Sequence, residues 1–318
     1  MSDASQTYTG TGDMLNKMIA HTLPLLPKEL IWYFSKTYIA GETVTDAIRV
    51  SRDLNRSGAS VTVDLLGEFI TDIDMAAMYR EAYLDLIEQF AASPVKGNYS
   101  LKPTMFGLLI DPGHCYAAIR RIVQAAAAHG SFVRIDMEDS RCVDLEVELF
   151  NKLQEEFPRN VGLVLQAYLK RTPDDLEKFR RSQSAGDKEP LNFRLCKGIY
   201  VEPHQIAYQD MPAINRAFIE NLDFMLRNGM YVGIATHDRK LIEQAEQLIS
   251  HYGAGRDQYE FQMLYGVTPR LRQRIIASGH KMRVYVPFGK SWFGYATRRL
   301  KENPTLVQHL LRALLIKG

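Results

Sequence analysis

Two adjacent arginines near the C-terminus carry the sharpest chemical signal in the chain. Tyr295, Arg298, Arg299 and Glu302 recur at helical spacing, with Tyr295 one turn before the arginines and Glu302 one turn after them. Guanidinium forks match a carboxylate, and two of them about 100° apart around a helix can grip one small anion if the helix crosses over it. A solvated basic face would have the same spacing. Other candidates fall where short apolar runs end: Asp64 with Glu68, Lys102, Asp136, Gln166, Arg194 with Lys197, Thr236 with His237, Gln262, and Tyr285. Polar residues are expected wherever strands run out into loops, but the three cations among them, Lys102, Arg194 and Lys197, need partners if they are buried. Lys102, followed by Pro103, could bind a carboxylate, form a Schiff base, or pair with an acid such as Asp136. The string Arg194-Leu195-Cys196-Lys197-Gly198-Ile199-Tyr200 sets two cations around a glycine that lets a ligand approach the backbone, which suits an anionic, planar or phosphorylated cofactor. His237 reads as a structural or base-stacking histidine. The eight histidines are scattered, with no H-x-H or HExxH, so no metal is expected.

These residues need a scaffold that brings strand ends together. Eight β-branched runs supply one: 60–64, 99–102, 132–136, 162–166, 193–196, 231–235, 259–262 and 283–286, at a mean spacing of roughly 30 residues. Helical stretches separate them. Asp74 is expected to open one over 75–90, Thr172-Pro173-Asp174 another, and Asp238 one over 241–251 that Gly253 stops. Eight such units predict an α/β fold, a closed (βα)8 TIM-like barrel, whose chemistry sits at the C-terminal ends of the strands. The rival, an open nucleotide-binding sheet, wants GxGxxG after its first strand, but the chain reads Asp64-Leu65-Leu66-Gly67-Glu68 there. Residues 13–58 form an N-terminal helical segment before the 59–318 barrel, with apolar stripes at Met14, Leu15, Met18 and Ile19 and at Leu30, Ile31, Phe34 and Tyr38. Packing against the barrel is expected, with a partner- or membrane-contact arm as the alternative. Residues 1–12 read as a flexible tail without a targeting signal. Leu306, Val307, Leu310, Leu311, Leu314 and Leu315 make a closing stripe after Pro304 that reads as core cover.

Composition narrows the classes. The chain has 318 residues, 46% hydrophobic and 24% charged, which argues against disorder. With 39 Lys+Arg against 37 Asp+Glu, it has no global field for nucleic acid. No apolar run approaches the ~20 residues of a membrane span. Cys115, Cys142 and Cys196 have no CxxC spacing and read as reduced thiols of a cytosol-like compartment.

Taken in order, seven strings resemble the proline dehydrogenase family, in its monofunctional bacterial form. They are Asp64-Leu65-Leu66-Gly67-Glu68, Asp136-Met137-Glu138-Asp139, Gln166-Ala167-Tyr168, the 194–200 string, Ala235-Thr236-His237, Glu260-Phe261-Gln262-Met263-Leu264, and Tyr295-x-x-Arg298-Arg299-Leu300-x-Glu302. The resemblance implies a distorted barrel holding FAD. It implies oxidation of L-proline to Δ1-pyrroline-5-carboxylate by hydride transfer from ring C5 to flavin N5, the first step of proline breakdown. Electrons would pass on to a quinone or another acceptor. By position it implies Arg298, Arg299 and Lys102 on the proline carboxylate, and Tyr285, Tyr295 and Leu264 around the ring. Asp136 would orient Lys102 or Arg194, and Arg194 would face the flavin N5 region. Gln166, Met137, Lys197, Gly198, Ile199, Thr236, His237, Gln262 and Glu302 would hold or complete the cofactor site, and Glu68 would gate it by pairing with Arg298. Cytoplasmic placement follows, with peripheral contact at the inner face of the cell membrane and a homo-oligomer left open. Cys196 and Ile199 replace the more usual small aliphatics, and Asp238 replaces a common Asn; the thiol would add a redox sensitivity. Two rivals remain at this point: a Schiff-base aldolase using Lys102 or Lys197, and a non-catalytic FAD-binding module.

Overall fold

Eight parallel strands close on themselves in sequence order. They are β1 (Ser60–Leu65), β2 (Gly97–Leu101), β3 (Val133–Ile135), β4 (Val161–Gln166), β5 (Asn192–Cys196), β6 (Tyr231–Ala235), β7 (Tyr259–Leu264) and β8 (Met282–Phe288). The last returns to the first with Ser60 opposite Arg283 and Asp64 opposite Pro287. The computed structural model describes residues 28–183 and 189–301. The expected 1–12 tail, the Met14 to Ile19 stripe, Glu302 and the Leu306 to Leu315 stripe lie outside the described residues.

The helices are α1 (Lys28–Ser35), α2 (Val44–Arg56), α3 (Asp74–Ala91), α4 (Pro112–Ala128), α5 (Val143–Glu156), α6 (Thr172–Gln183), α7 (Met211–Arg227), α8 (Arg239–Tyr252), α9 (Pro269–Ala277) and α10 (Trp292–Lys301). Local chemistry sets their ends. Asp111 and Asp210 accept from backbone N–H groups of the first turns of α4 and α7, each with proline at the start. Asp238 caps α8, and Gly253 ends it at φ 60°. Asp74 is different from expectation: it is the first helical residue of α3, and Ile73 before it makes no side-chain cap.

Strand alternation sorts the side chains. Val61, Val63, Leu101, Ile135, Leu163, Leu195, Ile234, Phe261 and Val284 are buried in the apolar layer. The alternate set, including Thr62, Asp64, Ser100, Arg134, Asp136, Gln166, Arg194, Glu260 and Gln262, is buried and polar. The lumen is therefore filled by hydrogen-bonded polar groups. The barrel also departs from the regular pattern at its seam. Helix α2 packs over β8 and β1, where the helix that follows β8 would sit in a regular barrel. The final helix, α10, is free to lie elsewhere. It packs against α1, with Trp32 and Trp292 ring centroids 4.7 Å apart. Trp292 Nε1 also donates to Glu42 Oε1 at 2.9 Å.

Candidate active site at the barrel mouth

The C-terminal strand ends gather the predicted groups around one lysine. Lys102 follows β2 directly. Its Nζ lies 3.2 Å from Asp64 Oδ2, 3.4 Å from Asp136 Oδ2 and 3.3 Å from the Tyr285 hydroxyl. Tyr285 in turn donates to Asp136 Oδ2 at 3.0 Å. The other oxygen of Asp136 accepts from Ser100 Oγ at 2.6 Å and Arg194 Nη1 at 3.0 Å. Burial alone would discharge these groups, but their partners decide the outcome. Asp136 is held below the usual carboxylate range because Lys102 and Arg194 outweigh burial. For Asp64, burial and the repulsion of Asp136 outweigh Lys102, and its pKa is raised. Lys102 is held well above its ordinary value: burial opposes the charge, but Asp64, Tyr285 and Asp136 sustain it. A lysine kept cationic in this way is a poor Schiff-base nucleophile, which removes the main support for the aldolase reading.

The second group comes from α10. Arg298 Nη1 donates to Glu68 Oε1 at 2.6 Å, so the helix reaches back over the loop after β1. Arg299 lies 5.5 Å from the Tyr295 ring centroid. Between this helix and the β1 loop is a cavity of about 230 Å³, lined by Leu66, Gly67, Glu68, Tyr79, Lys102, Ser291, Gly294, Tyr295 and Arg298. A larger cavity of about 510 Å³ opens at the other end of the barrel, among Phe132, Arg159, Asn192, Tyr231 and neighbours. None of the candidate residues lines it, and barrel chemistry belongs to the opposite face.

The third group lies along β4 to β7. Gln166 Nε2 donates to Glu138 O at 2.8 Å. Lys197 Nζ pairs with Asp238 Oδ2 at 2.9 Å. Gly198 has φ 109°, and a Cβ there would run into the Tyr168 ring, so only glycine fits. Thr236 Oγ1 accepts from Asp238 N at 3.1 Å. His237 Nε2 accepts from Leu264 N at 2.9 Å, which ties Leu264 to the histidine and fixes that nitrogen as unprotonated. Met137 is buried in the apolar core. Gln262 sits deeper, bridging Arg194 Nε at 2.6 Å and Glu260 Oε1 at 2.7 Å. The Cys196 thiol is pushed by burial up to about 11, against the redox sensitivity anticipated for it. This wall fits a flavin. It carries the cations Arg194 and Lys197, and Gly198 lets its backbone pass close to the Tyr168 ring. Beside them Ile199 and Val201 are 50% and 100% exposed, apolar surface that a planar ring system would cover.

Sequence reasoning missed part of the machinery. Tyr200, in sequence only the end of a motif, stands within electrostatic reach of Lys102, Glu68 and Arg298. Ser100, which carries no signal in the sequence, bonds Asp136, and Asp64, in sequence only a strand end, bonds Lys102. Glu260 and Arg283, joined at 2.6 Å, continue the polar lumen below Gln262. The signal for them is polar or charged residues two apart in otherwise apolar runs, as in Arg134 with Asp136 and Arg283 with Tyr285.

Comparisons with known proteins agree on one relationship. A family model described as proline dehydrogenase matches residues 47–310. The proline dehydrogenase of Deinococcus radiodurans is 33% identical over 294 residues, covering 91% of this chain and 93% of that protein. Proline dehydrogenase 2 of Bacillus subtilis is 35% identical over 278 residues, covering 87% and 88%. Among solved structures, proline utilization A from Bdellovibrio bacteriovorus inactivated by N-propargylglycine superposes with a TM-score of 0.81 at 23% identity. That match covers 92% of this chain and 36% of the longer protein, and it bears on the fold alone.

Proposed function

The chain belongs to the proline dehydrogenase family, and from that premise we propose how its own residues carry out the oxidation of proline in proline catabolism. L-Proline enters by the 230 Å³ cavity, where Lys102, Tyr295 and Arg298 stand in its lining; its carboxylate sits among Lys102, Arg298 and Arg299, and its ring reaches past that lining to Tyr285 and Leu264. The observation that carries this reading is Lys102, held cationic by two buried carboxylates, facing the same cavity as Arg298.

Each group then has a physical task. The three cations fix the carboxylate and thereby the ring, which lowers the entropic cost of reaction. They also disfavour the ammonium form of the substrate, so its proton leaves to solvent and the nitrogen lone pair becomes available. Asp136 keeps Lys102 and Arg194 in place. Glu68, on Arg298, closes the cavity from the β1 side and limits water entry. Arg194, Gln166, Lys197, Gly198, Ile199, Thr236 and His237 would hold FAD, which when bound would supply two-electron oxidising capacity beside ring C5. Arg194, buried beside that wall, stabilises negative charge there. The electrons would then pass to a quinone-type or other acceptor; no helix among the described residues is long and apolar enough to cross a membrane.

The test is the visible spectrum of the purified protein before and after anaerobic proline. Flavin bands that fade on addition are expected. A colourless protein, or a yellow one that proline leaves unchanged, overturns the reading.

A further inference from the structure

A buried chain of hydrogen bonds connects the loop after β3 to the Glu68–Arg298 pair. Glu138 lies on that loop and is fully buried. Its Oε1 accepts from Thr104 N at 2.9 Å, and its Oε2 from Thr104 Oγ1 at 2.6 Å. The hydroxyl hydrogen of Thr104 is thereby committed, and its oxygen accepts from Phe69 N at 2.8 Å. Thr104 O also accepts from Ile70 N at 3.3 Å. Phe69 adopts φ 50°, a left-handed conformation that a bulky residue keeps only when its surroundings hold it there. The residue before it is Glu68, bound to Arg298 at 2.6 Å.

Two further bonds give Glu138 its leverage. Glu146 Oε1 accepts from Glu138 N at 2.9 Å and fixes it from behind. Glu138 O accepts from Gln166 Nε2 at 2.8 Å on the cofactor wall. Thr104 is two residues from Lys102, within the short turn in which Met105 N donates to Lys102 O at 3.0 Å. One buried carboxylate therefore anchors the β1 loop and the turn that carries the lysine. Neither Glu138 nor Thr104 lines the substrate cavity.

Resting on the proline-site reading above, we propose that Glu138, acting through the Thr104 hydroxyl, is a positioning residue that sets Glu68 for closure over bound substrate. The relay makes no contact with proline. It works by holding Phe69 in a conformation that aims the preceding carboxylate at Arg298.

The experiment uses the full-length, flavin-loaded protein. Thr104→Val keeps the shape and deletes the hydroxyl; Thr104→Ser restores it. Thr104→Val is expected to raise the KM for proline and the calorimetric Kd for cyclopentanecarboxylate 5- to 20-fold, with kcat within about twofold, and Thr104→Ser to stay near wild type. In a Glu68→Ala background, Thr104→Val should change either constant less than about twofold, because no gate remains to be positioned. A Thr104→Val protein that melts like wild type and binds both ligands normally overturns the relay. So does an equal loss in the Glu68→Ala background. Should the valine variant not fold, Thr104→Ala is compared with Thr104→Ser by the same criteria. A wild-type protein that proline does not reduce overturns the proline-site reading itself, whereas normal wild-type turnover with an unaffected Thr104→Val overturns only the relay.

Discussion

Single residues at the mouth separate binding from folding. Arg299 supplies a charge-assisted contact to the substrate carboxylate in the proposed mechanism, worth about 1.5–3 kcal/mol. Arg299→Met should therefore raise the KM for proline roughly 10- to 150-fold while flavin remains bound. Flavin content and steady-state kinetics check this, and loss of flavin with unchanged KM would contradict the assignment. His237 offers a test in the folding equilibrium. Burial, helped by Arg299, lowers its pKa to about 4. The unfolded chain takes up the proton near the ordinary value of 6.5, and the folded chain does so only near 4. Between these values the unfolded state binds more protons, so this residue's contribution is lost as pH falls through that window. The full shift corresponds to about 3 kcal/mol, reduced to about 2 for a ring in part contact with solvent. Glu138 has the opposite slope: burial raises it to about 7, so its share of stability falls as pH rises from 4.5 to 7. A difference measurement removes that term. The stability of His237→Gln relative to wild type, from urea titrations, should be flat above about pH 7 and improve by about 2 kcal/mol near pH 4.

At the scale of elements, the eight strands were legible because their residues are β-branched and their ends polar. The closed barrel follows from their number and period. The site was legible in parts for the same reason: Lys102 and Asp136 directly follow β2 and β3, whereas Arg194 and Tyr285, expected at strand ends, sit within β5 and β8. The pairing of Asp136 with Lys102 and Arg194 was legible too, but the ties of Lys102 to Asp64 and Tyr285 were not. Lys102 and Tyr285 are 183 positions apart, and only closure of β8 on β1 brings them to 3.3 Å. The course of α10 was also hidden, since a stripe with two arginines reads equally as a solvated face. Its position depends on Trp292, wedged on Trp32 and bonded to Glu42. Trp292→Ala removes that anchor but no barrel strand. The expected result is a several-fold rise in KM for proline and faster amide exchange over 292–301, with the exchange of β1–β8 unchanged. Unchanged exchange in α10 would show that another contact holds it.

At the scale of the whole molecule, the lumen behaves as one electrostatic unit. Arg134, Arg194, Arg283 and Lys102 face Asp64, Asp136 and Glu260 inside it. The chain of bonds runs from Arg283 through Glu260, Gln262 and Arg194 to Asp136, so the floor of the barrel is tied to the group that orients Lys102. The balance favours positive charge, which suits an anionic substrate but taxes folding. Arg134 registers the tax: burial and the repulsion of Arg194 lower its pKa to about 9. Glu260 is the carboxylate that offsets this strain farthest from the substrate. Glu260→Gln keeps the volume and removes the charge, leaving Arg283 buried with its counter-charge gone. A loss of about 3–5 kcal/mol is expected, since breaking one side of a buried pair leaves an uncompensated ion. For a chain of this size that corresponds to a melting temperature lower by about 4–8 °C. Pairing Glu260→Met with Arg283→Met should recover most of the loss, because both desolvation costs then disappear together. Thermal melting of the two variants and wild type decides the matter. If the single change costs less than about 1 kcal/mol, the polar lumen is not held by this pair.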